Sequence, residues 1–371
     1  MKIGNSANRI DLRGKLIMVQ AEYLIIGQGI CGTLLSWHLK RAGKSFILID
    51  AGDSSGSSKA ASGLINPVTG KRHVKTWLFD ELLPVALQTY QDLESELNIA
   101  LLSSCDIIQF HSSPEERDLF EEKAALMPEH LRVADNGELQ DKFQYYAGAG
   151  AIGPCVLVDG NKLLASWRNV LKREHQLLEE VFDVNDCTIT EHQVHYKDIL
   201  ASKIVFCEGS AAANSPYFSL LPFSMNKGEA IIGRIPDLPR TRIYKQQLKI
   251  VPWKEDLFWI GSSFAWKYDD VLPTAEFRTR VEYTLKSWLK LPWTMEDHLS
   301  AERPSSVDYK PFAGMHPFYP AVGILNGMGT KGYSLAPFFA KQMADLLITG
   351  KEVMADVSVE RFRRVLGRNV S

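Results

Sequence analysis

The stretch YLIIGQGICGTLLSWHL, residues 23–39, limits the possible folds more than any other. An apolar run that ends at glycine predicts a buried parallel strand. The next residues, with Cys31, Leu34, Leu35 and His38 at helical spacing, predict a helix that starts within the glycine turn. Gly27, Gly29 and Gly32 fit G-x-G-x-x-G. In that pattern the first glycine makes the tight turn, the second lets backbone approach a pyrophosphate, and the third lets helix pack against strand. The helix start then offers N–H groups and the positive end of its dipole to an anion, with Ile30 as the first helical residue. KSFILIDAG supplies a second strand ending at Asp50 and Ala51. Asp50, 18 residues beyond Gly32, is placed to accept hydrogen bonds from a ribose diol and to repel a 2′-phosphate. Strand, turn, helix and acid together predict a βαβ dinucleotide site that disfavours NADP.

The other segments predict a mosaic. SSGSSKAASGLINPVTG reads as loop, and residues 76–130 as mostly helical. VDGNKLLASWRNVLKR is an amphipathic helix with Asp159 or Asn161 available as cap, followed by short strands and by ASKIVFCEGS, a buried strand ending in glycine. LKIVPWKEDLFWIGSSFAW predicts a hairpin around a charged turn, and TAEFRTRVEYTLKSWLK a helix. The tail reads as strand, glycine turn and helix, with Leu335, Phe339, Met343 and Leu346 on one helix face. A chain of 371 residues has room for two cores of about 150 residues each. Residues 1–17 are polar and mixed, and read either as a loose extension or as an upstream start that the native protein does not use.

A net charge of −2 gives no reason to expect nucleic acid or an anionic membrane as partner. The five cysteines have no C-x-x-C spacing, which disfavours a zinc site, and their odd, scattered placement suits a reducing compartment. No apolar run is long enough to span a bilayer, and no secretory pattern is found. The expectation is a soluble, cytoplasmic protein.

Gly327, Gly329 and Gly332 form a second glycine-rich turn between strand and helix, 300 residues after the first. NAD needs one such anchor. FAD extends further at its redox end, and a helix N-terminus there stabilises the negative charge of the reduced ring. The second turn therefore favours FAD, with Thr330 and Lys331 inside its grip.

With these blocks in view, the chain resembles the D-amino-acid oxidase-like family of FAD-dependent oxidoreductases, whose members include glycine oxidase and sarcosine oxidase. The resemblance runs from Tyr23 to about Lys351. It is carried by the opening block, SSKAASGLINP, VDGNKLLASW, IVFCEGS (with Cys207 and Glu208 as local departures), NKGEAIIG, KIVPWKEDLFWIGSS, ERPSSVDYKPFAG and GILNGMGTKGYSLAP. It implies an α/β fold with a Rossmann-like FAD-binding domain built from discontinuous segments, expected at 18–85, 150–235 and 300–371. An α+β substrate domain with an antiparallel sheet is expected at 86–149 and 236–299. It further implies that Ser62, Gly63, Leu64, Val181 and Gly209 touch the cofactor.

The implied chemistry is oxidation of the C–N bond of an amino acid or small amine by hydride transfer to flavin N5, the imine then hydrolysing. Arg303 matches the arginine that holds the substrate carboxylate, a task that suits a planar, permanently charged fork, although an ordinary surface or interdomain salt bridge is the other reading of this residue. Glu302 beside it is a departure that puts an acid in competition for the guanidinium. Arg72 and His73, within GKRHVKTW, either line the substrate pocket, with His73 keeping an amine neutral, or belong to a solvated charged face. Lys227 and Lys331 are cations that either support reduced flavin or stand exposed. Since no cysteine matches the site of covalent flavin attachment in the sarcosine-oxidase branch, FAD is expected to bind noncovalently. Substrate identity and electron acceptor stay open. So do two other readings: action on a modified tRNA base, and a noncatalytic flavin-binding sensor.

Overall fold

The computed structural model describes residues 18–53, 56–134 and 137–369, so the expected extension at 1–17 lies outside the described residues. The chain forms two compact units. One contains the chain up to Lys59, Asn161–Met225 and Arg303–Ser371; the other contains Ala60–Gly160 and Asn226–Glu302.

The first unit is built on a largely parallel sheet. Val19–Ile26 lies between Ile199–Phe206 and Phe46–Ile49, parallel to both, and Phe46–Ile49 is followed by Leu177–Leu178. Val322–Asn326 adds to the far side of Ile199–Phe206, also in parallel. Helix Ile30–Arg41 buries Cys31, Leu34 and Leu35 as its spacing predicts, but Trp37 and Leu39 are buried too. A helix that is apolar nearly all round needs partners on several sides. One is helix Gly160–Arg173, where Trp167 Nε1 donates to Ser36 Oγ at 2.9 Å. Another is helix Gly332–Thr349, reached from the adjoining strand by Tyr23 Oη donating to the Leu347 carbonyl at 2.9 Å. On that last helix Leu335, Phe339 and Met343 are buried as expected. Leu347 replaces Leu346 as the next core residue, because the buried face drifts with the 3.6-residue period.

The second unit is a mixed sheet in which antiparallel pairs dominate. The predicted hairpin is present as Lys249–Pro252 with Leu257–Gly261. One pair departs from the antiparallel expectation: Arg242–Lys245 runs parallel to Leu102–Phe110. Residues 76–130 are mostly helical, as expected, but a strand interrupts them. Helices Phe79–Leu97 and Pro114–Leu126 flank the nine-residue strand Leu102–Phe110, whose Cys105, Ile107 and Phe110 are buried against neighbouring strands. Its neighbours, not its local pattern, decide its conformation.

The domain limits also differ from those expected. Residues 60–85 belong to the second unit, because Leu64–Ile65 pairs with Ala149–Val158 and Trp259 Nε1 donates to the Ala60 carbonyl at 2.9 Å. Residues 150–160 stay with the same unit, since Ala149–Val158 also pairs with Leu102–Phe110. Residues 226–235 and 300–302 fall there too, all but Ile235 on the strands Phe223–Arg234 and Thr294–Ser306, each of which has its other end in the first unit. Among the described residues no helix is long and apolar enough to cross a membrane.

Candidate cofactor and substrate site

The opening turn has the steric character that its glycines predict. Gly27 has φ +96°, and a Cβ there would stand 2.7 Å from the Cys207 carbonyl oxygen. At Gly32 a Cβ would stand 1.9 Å from the Gly27 carbonyl oxygen, so only glycine lets the helix sit this close to the turn. Gly29 precedes the helix with no side-chain cap, and the first turn carries no acid. No carboxylate of the helix itself offsets the positive end of its dipole.

Asp50, at the carboxyl end of Phe46–Ile49, is the hub of a polar network. Its Oδ2 accepts from the Gln28 N–H at 2.8 Å. Its Oδ1 accepts from the Gly52 N–H at 2.8 Å and from Arg168 Nη1 at 2.6 Å. Arg168 also donates to Gln28 Oε1 at 2.9 Å and to the Asp50 carbonyl at 3.1 Å, while Gln28 Nε2 donates to the Leu164 carbonyl at 2.9 Å. A carboxylate has about four acceptor positions, so three internal donors leave capacity for a ribose hydroxyl. Sequence reasoning missed Arg168 and Gln28. The only signal was an arginine in the amphipathic segment VDGNKLLASWRNVLKR, without anything to say which strand end it faces. Ala51 is exposed beside Asp50, and Val181 is 76% exposed beyond Leu177–Leu178.

The closing turn meets the opening one. A Cβ on Gly332 would stand 3.3 Å from Ile30 Cγ2. Ser58 joins the two helix starts: its Oγ accepts from the Ile30 N–H at 3.0 Å, and its carbonyl accepts from Tyr333 Oη at 2.7 Å. Asn326 accepts from the Gly327 N–H and donates to the Gly209 carbonyl, each at 2.8 Å. Gly327 and Gly329 have φ of +77° and +56°, values that favour glycine. Thr330 is exposed, and Lys331 caps the Gly332–Thr349 helix without a side-chain cap bond. Two turns 300 residues apart therefore converge in one unit, each opening a helix, with the carboxylate of Asp50 at the neighbouring strand end. That arrangement fits a dinucleotide with a second anchoring point, as FAD requires.

Arg303 is half-buried one residue before Pro304, whose carbonyl accepts the Gly329 N–H at 2.9 Å. Burial lowers its guanidinium to about 10, so it stays cationic at neutral pH. The potential competitor is engaged elsewhere: Glu302 accepts a hydrogen bond from Tyr268 Oη.

The remaining predicted residues lie in the second unit. Gly63 has φ +76°, and a Cβ there would stand 2.0 Å from the Val158 carbonyl oxygen; Ser62 and Leu64 flank it, half-buried. Arg72 is exposed, whereas His73 is buried with its Nε2 3.0 Å from Gln109 Nε2. Gln109 Oε1 accepts from Lys245 Nζ at 2.8 Å. Lysine only donates, so the Gln109 oxygen faces Lys245 and its NH₂ faces His73. His73 Nε2 is then the acceptor and its proton is on Nδ1. Burial lowers the His73 imidazole further from its charged form. Lys227 is buried rather than exposed, with Nζ donating to the Leu272 carbonyl.

Comparison with known proteins agrees with this geometry. The sequence profile of the FAD dependent oxidoreductase (DAO) family matches residues 22–346. Glycine oxidase from Bacillus subtilis (strain 168) is 24% identical over 362 residues, covering 90% of this chain and 95% of that protein. Among solved structures, glycine oxidase from Geobacillus kaustophilus superposes with a TM-score of 0.76 at 19% identity, covering 92% of this chain and 98% of that one. Iminodiacetate oxidase from Chelativorans sp. BNC1 gives 0.72 at 20% identity, covering 92% and 98%. The profile spans most of the chain, and the paired glycine turns supply the cradle it calls for: the protein belongs to the D-amino-acid oxidase-like family of FAD-dependent oxidoreductases.

Proposed function

We propose that the protein oxidises the C–N bond of a small amine that bears a carboxylate, an amino acid or an N-substituted amino acid, using noncovalently bound FAD. The observation that carries this reading is the Pro304–Gly329 hydrogen bond, which ties a half-buried arginine to the closing glycine turn. The similar enzymes are named for glycine and iminodiacetate, both of which carry amine and carboxylate. Bound in the cradle, FAD supplies the acceptor for a hydride from the carbon beside nitrogen. The turn around Gly27–Ile30 would hold its diphosphate, Asp50 its ribose diol, and the closing turn its redox end. Arg303 binds the substrate carboxylate through two parallel N–H bonds and so fixes the orientation of the reacting carbon. His73, neutral at physiological pH, and Arg72 take part in substrate handling in this reading. The imine released from the substrate hydrolyses in water.

Noncovalent attachment agrees with the thiol chemistry. Burial pushes Cys31 up to about 12 and Cys207 well above its usual range. Thiols held neutral are poor nucleophiles. Acid precipitation of the yellow holoenzyme should leave flavin in the supernatant; flavin pelleting with the protein would overturn this point.

The test of the function is anaerobic titration of holoenzyme with glycine, sarcosine, proline and iminodiacetate, followed by visible absorbance. Bleaching by at least one of them is expected. A protein that takes up FAD but is bleached by no amine bearing a carboxylate would defeat the reading.

A further inference from the structure

Glu208 departs from the family pattern, and neither the cradle nor the oxidation step accounts for it. Strands Val19–Ile26 and Ile199–Phe206 run parallel with Ile26 opposite Phe206, and the Cys207 N–H donates to the Ile26 carbonyl at 2.7 Å. The two chains therefore leave the sheet side by side. Glu208 Cα stands 3.1 Å from where a Gly27 Cβ would be, against the first glycine of the phosphate turn. On its other side Gly209 has φ +60°, nothing within 4 Å of its Cβ position, and a carbonyl held by Asn326 of the closing turn. Glu208 thus sits at the carboxyl edge of the sheet, between the two glycine turns. In open parallel sheets this edge is where nucleotides bind.

Its carboxyl is half-buried and, among the described residues, makes no ion pair or side-chain hydrogen bond. Burial alone pushes it up to about 7. The chargeable groups on the surrounding elements are few. Cys207 and Cys31 on the adjoining strand end and helix are neutral thiols. Asp50, two strands away, is occupied by Gln28, Gly52 and Arg168. Lys331 stands at the N-cap of the Gly332–Thr349 helix. The short helix Gly209–Asn214 carries no charged residue.

We infer that Glu208 meets the bound dinucleotide as a neutral carboxylic acid whose O–H donates to the diphosphate, so that cofactor binding takes up a proton. An ionised carboxylate at this place would repel the anion that the helix start attracts, whereas the acid satisfies one of its oxygens. The inference rests on the FAD reading and adds to it a pH-dependent hold. The sign comes from linkage. Binding raises the Glu208 proton affinity, so FAD is held most tightly below the acid's unbound value and is released as pH rises through its bound value.

The test uses holoenzyme diluted into buffers from about pH 6 to about pH 9, with free flavin fluorescence reporting the FAD dissociation constant. The constant should be flat at the acid end and rise by up to about tenfold per pH unit above about pH 7. In Glu208→Gln, which keeps a neutral donor, it should change less than about threefold over the same range. Uptake of a proton on FAD binding in weakly buffered wild-type solution is the second measurement. A wild-type constant that is flat or falls with pH, no proton uptake, or an equal slope in Glu208→Gln would each overturn the inference. Such outcomes leave the FAD reading standing, because that reading fails only if FAD does not bind at any pH.

Discussion

The main-chain N–H of Gly329 donates to the Pro304 carbonyl at 2.9 Å, so the closing cofactor turn and the arginine block are fastened to each other through backbone alone. A Cβ on Gly329 would stand 2.9 Å from Ser305 Oγ, on a residue whose φ of +56° favours glycine. Gly329→Ala should therefore strain the backbone and press on Ser305 together, at a cost of roughly 1–3 kcal/mol. Both thermal stability of the holoenzyme and FAD affinity should fall. Unchanged FAD affinity, measured by flavin fluorescence, would separate this turn from cofactor binding.

Arg303→Ala should raise KM for a substrate bearing a carboxylate at least tenfold, since each charge-assisted bond contributes about 1.5–3 kcal/mol. Arg303→Lys should recover only part of this, because an ammonium cannot make the paired contact. In the wild type, burial lowers this guanidinium to about 10. Substrate binding uses the protonated form, so it is complete below that value and weakens as pH rises through it. Steady-state kinetics against pH checks both effects. A KM indifferent to Arg303→Ala would return the residue to its other reading, a salt bridge.

The glycine turns were legible in sequence because their requirement is local: Gly27 is needed where its own Cβ would strike Cys207. Other parts depend on what lies alongside. Leu102–Phe110 is a strand because Ala149–Val158 and Arg242–Lys245 pair with it, and no feature of its own spacing marks it as one. Residues 60–85 join the second unit through a two-residue strand, Leu64–Ile65, too short to register as a pattern. Arg168 reaches Asp50 because Leu177–Leu178 pairs with Phe46–Ile49, carrying the preceding helix over that strand end. The acid at Asp50 could be read from its position, but the cation that orients it could not.

That ion pair is testable on its own. Arg168 and Asp50 are 16% and 22% exposed, so water screens the pair only in part. Arg168→Ala leaves Asp50 with the Gln28 and Gly52 N–H groups but frees it to turn away from the ribose. We expect a loss of about 1–3 kcal/mol in FAD binding, near tenfold or more in affinity. In Arg168→Lys the charge persists while the simultaneous contacts to Asp50 and Gln28 do not, so recovery should be partial. A double-mutant cycle with Asp50→Asn should give a coupling of about 0.5–3 kcal/mol; additivity would mean that the two act separately.

Lys245 is a half-buried cation whose charge opposes folding. Burial, helped by Lys249 opposite it, lowers its ammonium to about 8, while the unfolded chain keeps the ordinary value near 10.4. Between these values the unfolded state binds more protons, so stability should rise with pH from about 8 toward about 10. Lys245→Met removes the half-buried charge and should be more stable at neutral pH by about 1–3 kcal/mol, with that pH slope abolished. It also unpins Gln109, whose orientation sets the His73 tautomer. Chemical denaturation across pH measures the stability. Turnover of Lys245→Met and His73→Ala separates the roles: if His73 serves the substrate amine, both lose activity although one gains stability. If His73→Ala turns over unchanged, the chain of Lys245, Gln109 and His73 is structural alone.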